Sequence, residues 1–168
     1  AYNHRSVQLG LPEVSLGLLP GAGGIVRMVN LIGLAAALPY LLEGKQFTPN
    51  QAMAAGIIDE VVDSENELLI RAKTFILKNT GNALAAIQPW DKSDFKLPNG
   101  PSNSAENQSL LEQTKQALLN KTRGLLPAPT KILEVAASAA QDNFEQALIL
   151  ESHALANLAT TAEAKNLI

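Results

Sequence analysis

Sixteen residues near the start of the chain, Leu9-Gly-Leu-Pro-Glu13-Val-Ser-Leu-Gly17-Leu-Leu-Pro20-Gly-Ala-Gly-Gly24, restrict the backbone more than any other stretch. Before them, Ser6-Val-Gln-Leu9 alternates polar and apolar side chains, which predicts one strand over Ala1 to Leu9 with Val7 and Leu9 on one face. Gly10 and Pro12 end it, and Pro20-Gly-Ala-Gly-Gly24 predicts a tight turn opening a helix. Glycines clustered at a helix start can offer N–H groups to an anion or a ligand oxygen. They can equally serve close packing alone. Glu13 reads either as a solvated loop carboxylate, the usual state of an acidic side chain, or as an acid held at a site. Gly21-Ala-Gly-Gly24 lacks dinucleotide-binding spacing, and no Lys-Ser or Lys-Thr pair follows it as a phosphate loop requires.

The chain has 168 residues, 46% apolar and 17% charged, a balance that suits one globular domain. A net charge of −3 offers no basic field for nucleic acid. With no cysteine, a disulfide framework, a thiolate nucleophile and a cysteine metal site are excluded. His4 and His153 stand far apart and outside any ligand-spaced motif, so both read as ordinary polar residues and no metal site is expected. The start of the chain lacks the order of a signal peptide. Ile25 to Leu42 is strongly apolar, but Arg27, Asn30 and Pro39 interrupt it, which predicts a buried helix pair rather than a membrane span. A cytoplasmic location is the expectation.

Along the chain, Ile25, Met28, Val29 and Ile32 recur at helical spacing up to Gly33. Leu34 to Leu42 is apolar nearly all round, which predicts burial on several sides, with Pro39 kinking the helix or making it begin late. Thr48-Pro49-Asn50-Gln51 predicts a capped start and Gly56 the end of a short helix. Ile57 to Val62 reads as a strand. Its Asp59–Glu60 pair is not a dyad, since adjacent strand residues face opposite sides. Glu65 to Asn79 predicts an amphipathic helix with Leu68, Ala72, Phe75 and Ile76 inward. Thr80 to Glu106 is a long loop rich in Gly, Asn, Pro and Ser, with Trp90 inside it. Three helices follow. The first carries Leu110, Leu111, Thr114, Leu118 and Lys121, and the second turns Ile132, Leu133, Ala136 and Ala140 inward. A capping box at Asp142-Asn-Phe-Glu145 opens the third, along Phe144, Leu148, Leu155 and Leu158, and Thr160-Thr-Ala-Glu163 repeats the device.

The run Gly10-Leu-Pro-Glu13-Val-Ser-Leu-Gly17-Leu-Leu-Pro20-Gly-Ala-Gly-Gly24, with Arg27 and Leu31-Ile-Gly33 behind it, resembles the second half of the crotonase (enoyl-CoA hydratase/isomerase) signature. Ala52-Met-Ala-Ala-Gly56-Ile-Ile-Asp-Glu-Val-Val62 is similar to the segment that closes the core in that family. Pro89-Trp-Asp-Lys and Phe95-Lys-Leu-Pro-Asn-Gly100 resemble an insertion in bacterial multifunctional fatty-acid oxidation proteins, where Gly is more frequent at the place of Asn99. The close of the chain, Asp142 onward with Glu151 and Glu163, resembles the end of the hydratase domain in the same proteins.

The resemblance implies an α/β fold with an incomplete crotonase-like core, mostly helical with two or three short strands. Residues 1–79 would form the C-terminal part of that core, 80–106 an insertion, and 107–168 the helical close of the same domain. It implies syn hydration of a trans-2-enoyl-CoA, with Glu13 as one of two catalytic glutamates, the one exchanging the Cα proton. Leu11, Val14 and Leu16 are expected to surround Glu13, and Pro20 and Gly21 to bind substrate, Gly21 letting the helix start approach the acyl chain. The other glutamate and both oxyanion amides would lie upstream, with residue 1 in mid-domain, so this chain alone is expected to be inactive. It would take an acyl-CoA thioester and carry no cofactor of its own, NAD belonging to a following dehydrogenase domain. Self-association into a homo-oligomer and a thiolase partner for the longer protein complete the expectation. Another crotonase-type chemistry, isomerase or hydrolase, and a non-catalytic helical interaction module are the alternatives.

Overall fold

The computed structural model describes residues 1–141 and 143–168. Most of them are helical, and two strands of two residues each, β1 (Leu9–Gly10) and β2 (Gln46–Phe47), pair in one small sheet. The chain forms two compact units. One joins residues 1–9 to 47–95, the other 10–46 to 96–168.

In the second unit a 3₁₀ turn (Glu13–Leu16) leads to α1 (Gly24–Ile32), which Gly33 ends, and α2 (Leu34–Glu43). Then come α5 (Ala105–Thr122), α6 (Pro127–Ala139), α7 (Phe144–Ala159) and α8 (Ala162–Leu167). Helix α6 packs against α1, α2, α5 and α7. Its alanines 128, 136 and 139 are buried and let neighbours approach closely, while Ile132 and Val135 fill the space between them. The expected inward face of α6, Ile132, Leu133, Ala136 and Ala140, is buried in full. In α2 only Leu34, Ala37, Leu38 and Leu41 are buried. Ala35, Ala36 and Pro39 are exposed, so this helix is covered on one face rather than several. It begins at Leu34 and carries Pro39 in its interior, so the proline does not delay its start.

Gly33 turns the chain between α1 and α2 at φ +83°, where a Cβ would come within 2.5 Å of the Pro98 carbonyl oxygen. The segment supplying Pro98 is pinned by Asn107, which is 2% exposed. Its Nδ2 donates to the carbonyls of Asn99, Gly100 and Pro101 at 3.0, 3.1 and 3.0 Å. Asn99 has φ +62°, the left-handed region that Asn enters at the smallest cost after Gly. That explains how Asn stands where the resembling proteins more often carry Gly.

Helix caps differ from expectation by single residues. At α7 the side chain of Asn143 accepts from Gln146 N at 2.8 Å; the expected cap at Asp142 lies outside the described residues. At α8 the cap is Thr161, accepting from Ala164 N, rather than Thr160. A run of two threonines offers the same hydroxyl to either register, and the chain takes the later one because Thr161 is the extended residue.

In the first unit, α3 (Pro49–Ala54) starts with the expected box. Thr48 N donates to Gln51 Oε1, and Gln51 N to Thr48 Oγ1. Gly56 follows its end at φ +78°. Two expected strands do not form. Of the strand expected over Ala1 to Leu9, only Leu9 lies in β1; and Ile57 to Val62 makes a single parallel bridge, Val62 with Tyr2. Alternation supplies a face, but a strand also needs a continuous ladder of partners, and here the ladder is one bridge long.

Helix α4 (Glu65–Asn79) has the expected span. Its apolar stripe is nevertheless not inward: Leu68, Phe75 and Ile76 are 36%, 58% and 63% exposed. With Ala72, they line a shallow groove beside Ile58 and Val62. Spacing locates the apolar face of a helix and says nothing of whether that face is covered. Trp90, in a 3₁₀ turn (Pro89–Asp91), is half-buried.

The glycines separate two costs. Gly33→Ala adds a steric clash with backbone to the strain of a positive φ, whereas Gly56 has nothing within 4 Å of the added carbon. Gly56→Ala is expected to cost about 1 kcal/mol and Gly33→Ala about 1–3 kcal/mol more. Urea unfolding with unchanged slope measures both; equal losses would mean that the Gly33–Pro98 contact is slack.

Candidate functional site

The site is the loop from Glu13 to Gly24. Pro12 precedes the 3₁₀ turn, which closes through Ser15 N to Pro12 O at 3.0 Å, Gly17 N to Val14 O at 3.2 Å and Leu18 N to Glu13 O at 3.1 Å. Gly17 sits at φ +69° with α8 pressed on it, Ala164 Cα and Leu167 Cδ1 each 3.1 Å from where a Cβ would stand. Gly44, at the end of α2, lies against Pro12 and Val14. These contacts hold the Glu13 backbone between α2 and α8.

Glu13 is half-buried, yet its Oε2 is fully enclosed and has no hydrogen-bond partner among the described residues. An enclosed oxygen left unpaired costs about 1–3 kcal/mol and is rare enough to call for a reason. Of the expected apolar neighbours, Leu11 and Val14 are half-buried, whereas Leu16 is 39% exposed, because the 3₁₀ turn carries it outward.

Pro20 is buried. At Gly21 an added Cβ would lie 2.5 Å from Leu155 Cδ2 of α7, so the close approach that Gly21 permits is one to α7. Gly23, at φ +82°, is the N-cap residue of α1. Its N–H group and those of Ile25 and Val26 are the donors that an anion would use at a helix start. They are already taken. Glu151 Oε1 accepts from Gly23 N at 2.5 Å, and Oε2 accepts from Ile25 N at 3.0 Å and Val26 N at 3.2 Å. The Arg27 guanidinium folds back to donate to the Ala22 carbonyl across the same turn.

Glu151 was not among the expected site residues. It is 1% exposed, a place that Glu occupies only when paired. The signal was present in the sequence. Ala147, Glu151, Ala154 and Leu158 recur at helical spacing, and a single acid in an apolar stripe asks for donors from a facing element.

Burial pushes the Glu151 carboxyl above its ordinary pKa of 4.5; the N–H groups of Val26, Gly23 and Ile25 and the Arg27 charge pull it down without cancelling that. Since the folded value exceeds the unfolded one, the stability tied to this proton is complete below pH 4.5 and is lost as pH rises through the folded value. Glu151→Gln replaces one acceptor with an NH₂ group facing N–H donors, and should lose about 1–3 kcal/mol. It also lacks the ionisation, so its deficit against the wild type is expected to be largest at low pH and to narrow as pH rises. Urea unfolding of both proteins from acid to neutral pH measures this; a deficit that widens would contradict the upward displacement.

Comparison with known proteins bears on this loop and its surroundings. A profile described as enoyl-CoA hydratase/isomerase matches residues 1–127. The fatty acid oxidation complex subunit alpha of Shewanella frigidimarina (strain NCIMB 400) is 32% identical over 159 residues, covering 95% of this chain and 22% of its own length. The protein of the same name from Vibrio vulnificus (strain CMCP6) is 36% identical over 162 residues, covering 96% and 22%. The chain therefore spans about a fifth of the length of the relatives it matches. With the profile covering residues 1–127, well over half of the chain and the Glu13 loop within it, the chain belongs to the enoyl-CoA hydratase/isomerase family.

Proposed function

We propose that this chain forms part of an enoyl-CoA hydratase domain in a fatty-acid oxidation protein, with Glu13 as the carboxyl group that exchanges the Cα proton. The observation that carries the reading is the enclosed Oε2 of Glu13, without a partner among the described residues and held on a turn whose sequence resembles the family's Pro-Glu signature. In the reaction, water oxygen bonds to Cβ of a trans-2-enoyl thioester while a carboxyl group delivers a proton to Cα. A second glutamate takes the proton that the water gives up, so the product gains one water and the two acids end with their protonation states exchanged; passage of that proton from the second glutamate back to the first restores both for the next turnover. Backbone N–H groups meet the charge that develops on the thioester oxygen, usually the largest catalytic contribution. The second glutamate and those N–H groups come from outside these residues in this reading. The α1 N–H groups at Gly23, Ile25 and Val26 are bonded to Glu151 and do not serve as the oxyanion donors.

Pro20 and Gly21 bound the path of the acyl chain in this reading, with Leu155 as its wall on the α7 side. The chain requires no cofactor for this chemistry, and NAD belongs to a dehydrogenase domain elsewhere in the longer protein. The fold is that of an incomplete crotonase-like core, whose exposed α4 stripe favours association with further chain or with another copy. A thiolase subunit as partner and a cytoplasmic place of action belong to the same proposal. No helix among the described residues is long and apolar enough to cross a membrane.

Crotonyl-CoA hydration tests the reading in two arms. The 168-residue chain alone is expected to show no hydration above the buffer rate. A chimera in which this chain replaces the matching segment of the Vibrio vulnificus relative should hydrate crotonyl-CoA, and Glu13→Gln in it should lower the rate by roughly 10²- to 10⁴-fold. Full activity of the isolated chain, or an active chimera indifferent to Glu13→Gln, would overturn the proposal.

A further inference from the structure

The Glu13 loop is gripped at both of its ends by one pair of helices. At its start, α8 presses Ala164 and Leu167 onto Gly17, the residue whose N–H group closes the Glu13 turn. At its end, α7 places Leu155 over Gly21 and Leu148 against Gly23, and plants Glu151 on the first amides of α1. Between these two grips lie only Leu18, Leu19 and Pro20; Leu19 is 0% exposed and Pro20 is buried, so little slack separates them. Among the described residues, Glu151 is the one ionisable group in this grip that is removed from water, and it bonds three amides of the loop and helix start.

We infer that Glu151 is a positioning residue for the proposed hydratase chemistry: by fixing the start of α1 it fixes the Gly17–Gly24 link and, through it, the backbone on which Glu13 is carried. The inference rests on the proposed role of Glu13. It follows from the chemistry of the acceptor. A carboxyl group, protonated or ionised, keeps acceptor lone pairs on both oxygens, which is what three converging N–H groups need. An amide in its place must present N–H to N–H at one oxygen position, so the helix start must shift or lose a bond. A shift at α1 moves Pro20 and Leu19, which have no free space, and the movement reaches Leu18, whose N–H group is bonded to the Glu13 carbonyl. Displacements of this kind, remote from the reacting atoms, lower turnover while leaving the remaining substrate contacts in place.

Two measurements test it, one without activity. In the 168-residue chain, amide hydrogen exchange is compared between wild type and Glu151→Gln. The expected result is faster exchange at Ile25 and Val26 that spreads back to Gly17 and Leu18 in the Glu13 turn; exchange changes confined to α1 would overturn the inference. In the chimera with the Vibrio vulnificus relative, Glu151→Gln should lower kcat for crotonyl-CoA by roughly 10- to 100-fold with KM little changed. Asn143→Ala removes the cap of the same helix without touching α1, and is expected to weaken folding while keeping the wild-type kcat. An unchanged kcat in Glu151→Gln, or an equal loss in Asn143→Ala, would reduce Glu151 to a general stabiliser and overturn the inference. Indifference of the chimera to Glu13→Gln would instead overturn the hydratase reading itself, while the exchange experiment still reports on the grip.

Discussion

Three backbone N–H groups at the start of α1 converge on the two oxygens of Glu151, a carboxyl group almost wholly removed from water. A helix leaves its first amides unsatisfied, and here they are enclosed, so something must accept from them. An isolated carboxylate in the same place would be still more costly. Each solves the other's problem, which is why α1 and α7 can pack with polar groups between them. The rest of the second unit follows from that pairing. With α7 fixed on α1, α6 lies against both, and α2 completes the core through Leu34, Leu38 and Leu41.

The same pairing changes what the glycine-rich turn can be. Read as sequence, Gly21-Ala-Gly-Gly24 left open an anion site at a helix start or a device for packing. At this position Glu151 occupies the amides that an anion would use, and Leu155 of α7 lies against one side of Gly21. Among the described residues, the enclosed oxygen without a partner is on Glu13, in the 3₁₀ turn that precedes them. The chemical interest of the loop therefore moves from its glycines to its carboxyl group.

Much of the helical layout was legible from side-chain spacing. The bounds of α4, the box at Thr48, the inward face of α6 and the stop at Gly33 all follow from local rules that need no distant partner. What was not legible depends on what comes to lie alongside. Ile57 to Val62 has the composition of a strand but finds only Tyr2, and Phe75 and Ile76 form an apolar stripe that stays in contact with solvent. Leu16, expected beside Glu13, is turned outward by the 3₁₀ turn, a geometry that a count of apolar neighbours does not contain. For the site, the Pro-Glu pair and its resemblance singled out Glu13, while Glu151 stood only as part of the closing segment, because its donors lie more than a hundred residues away in the chain. Its place in the Ala147, Ala154 and Leu158 stripe was the one local hint.

The Glu151 carboxyl group sits on the first turn of α1. Long-range NMR couplings transmitted through hydrogen bonds report such contacts one by one, between the Glu151 carboxyl carbon and the amide nitrogens of Gly23, Ile25 and Val26. The expected result in the 168-residue chain is a resolved coupling to at least two of those nitrogens, with slow amide exchange at each. Absent couplings together with amides that exchange freely with water would show a helix start open to solvent, and would contradict the anchoring on which the loop, the core and the role given to Glu13 depend.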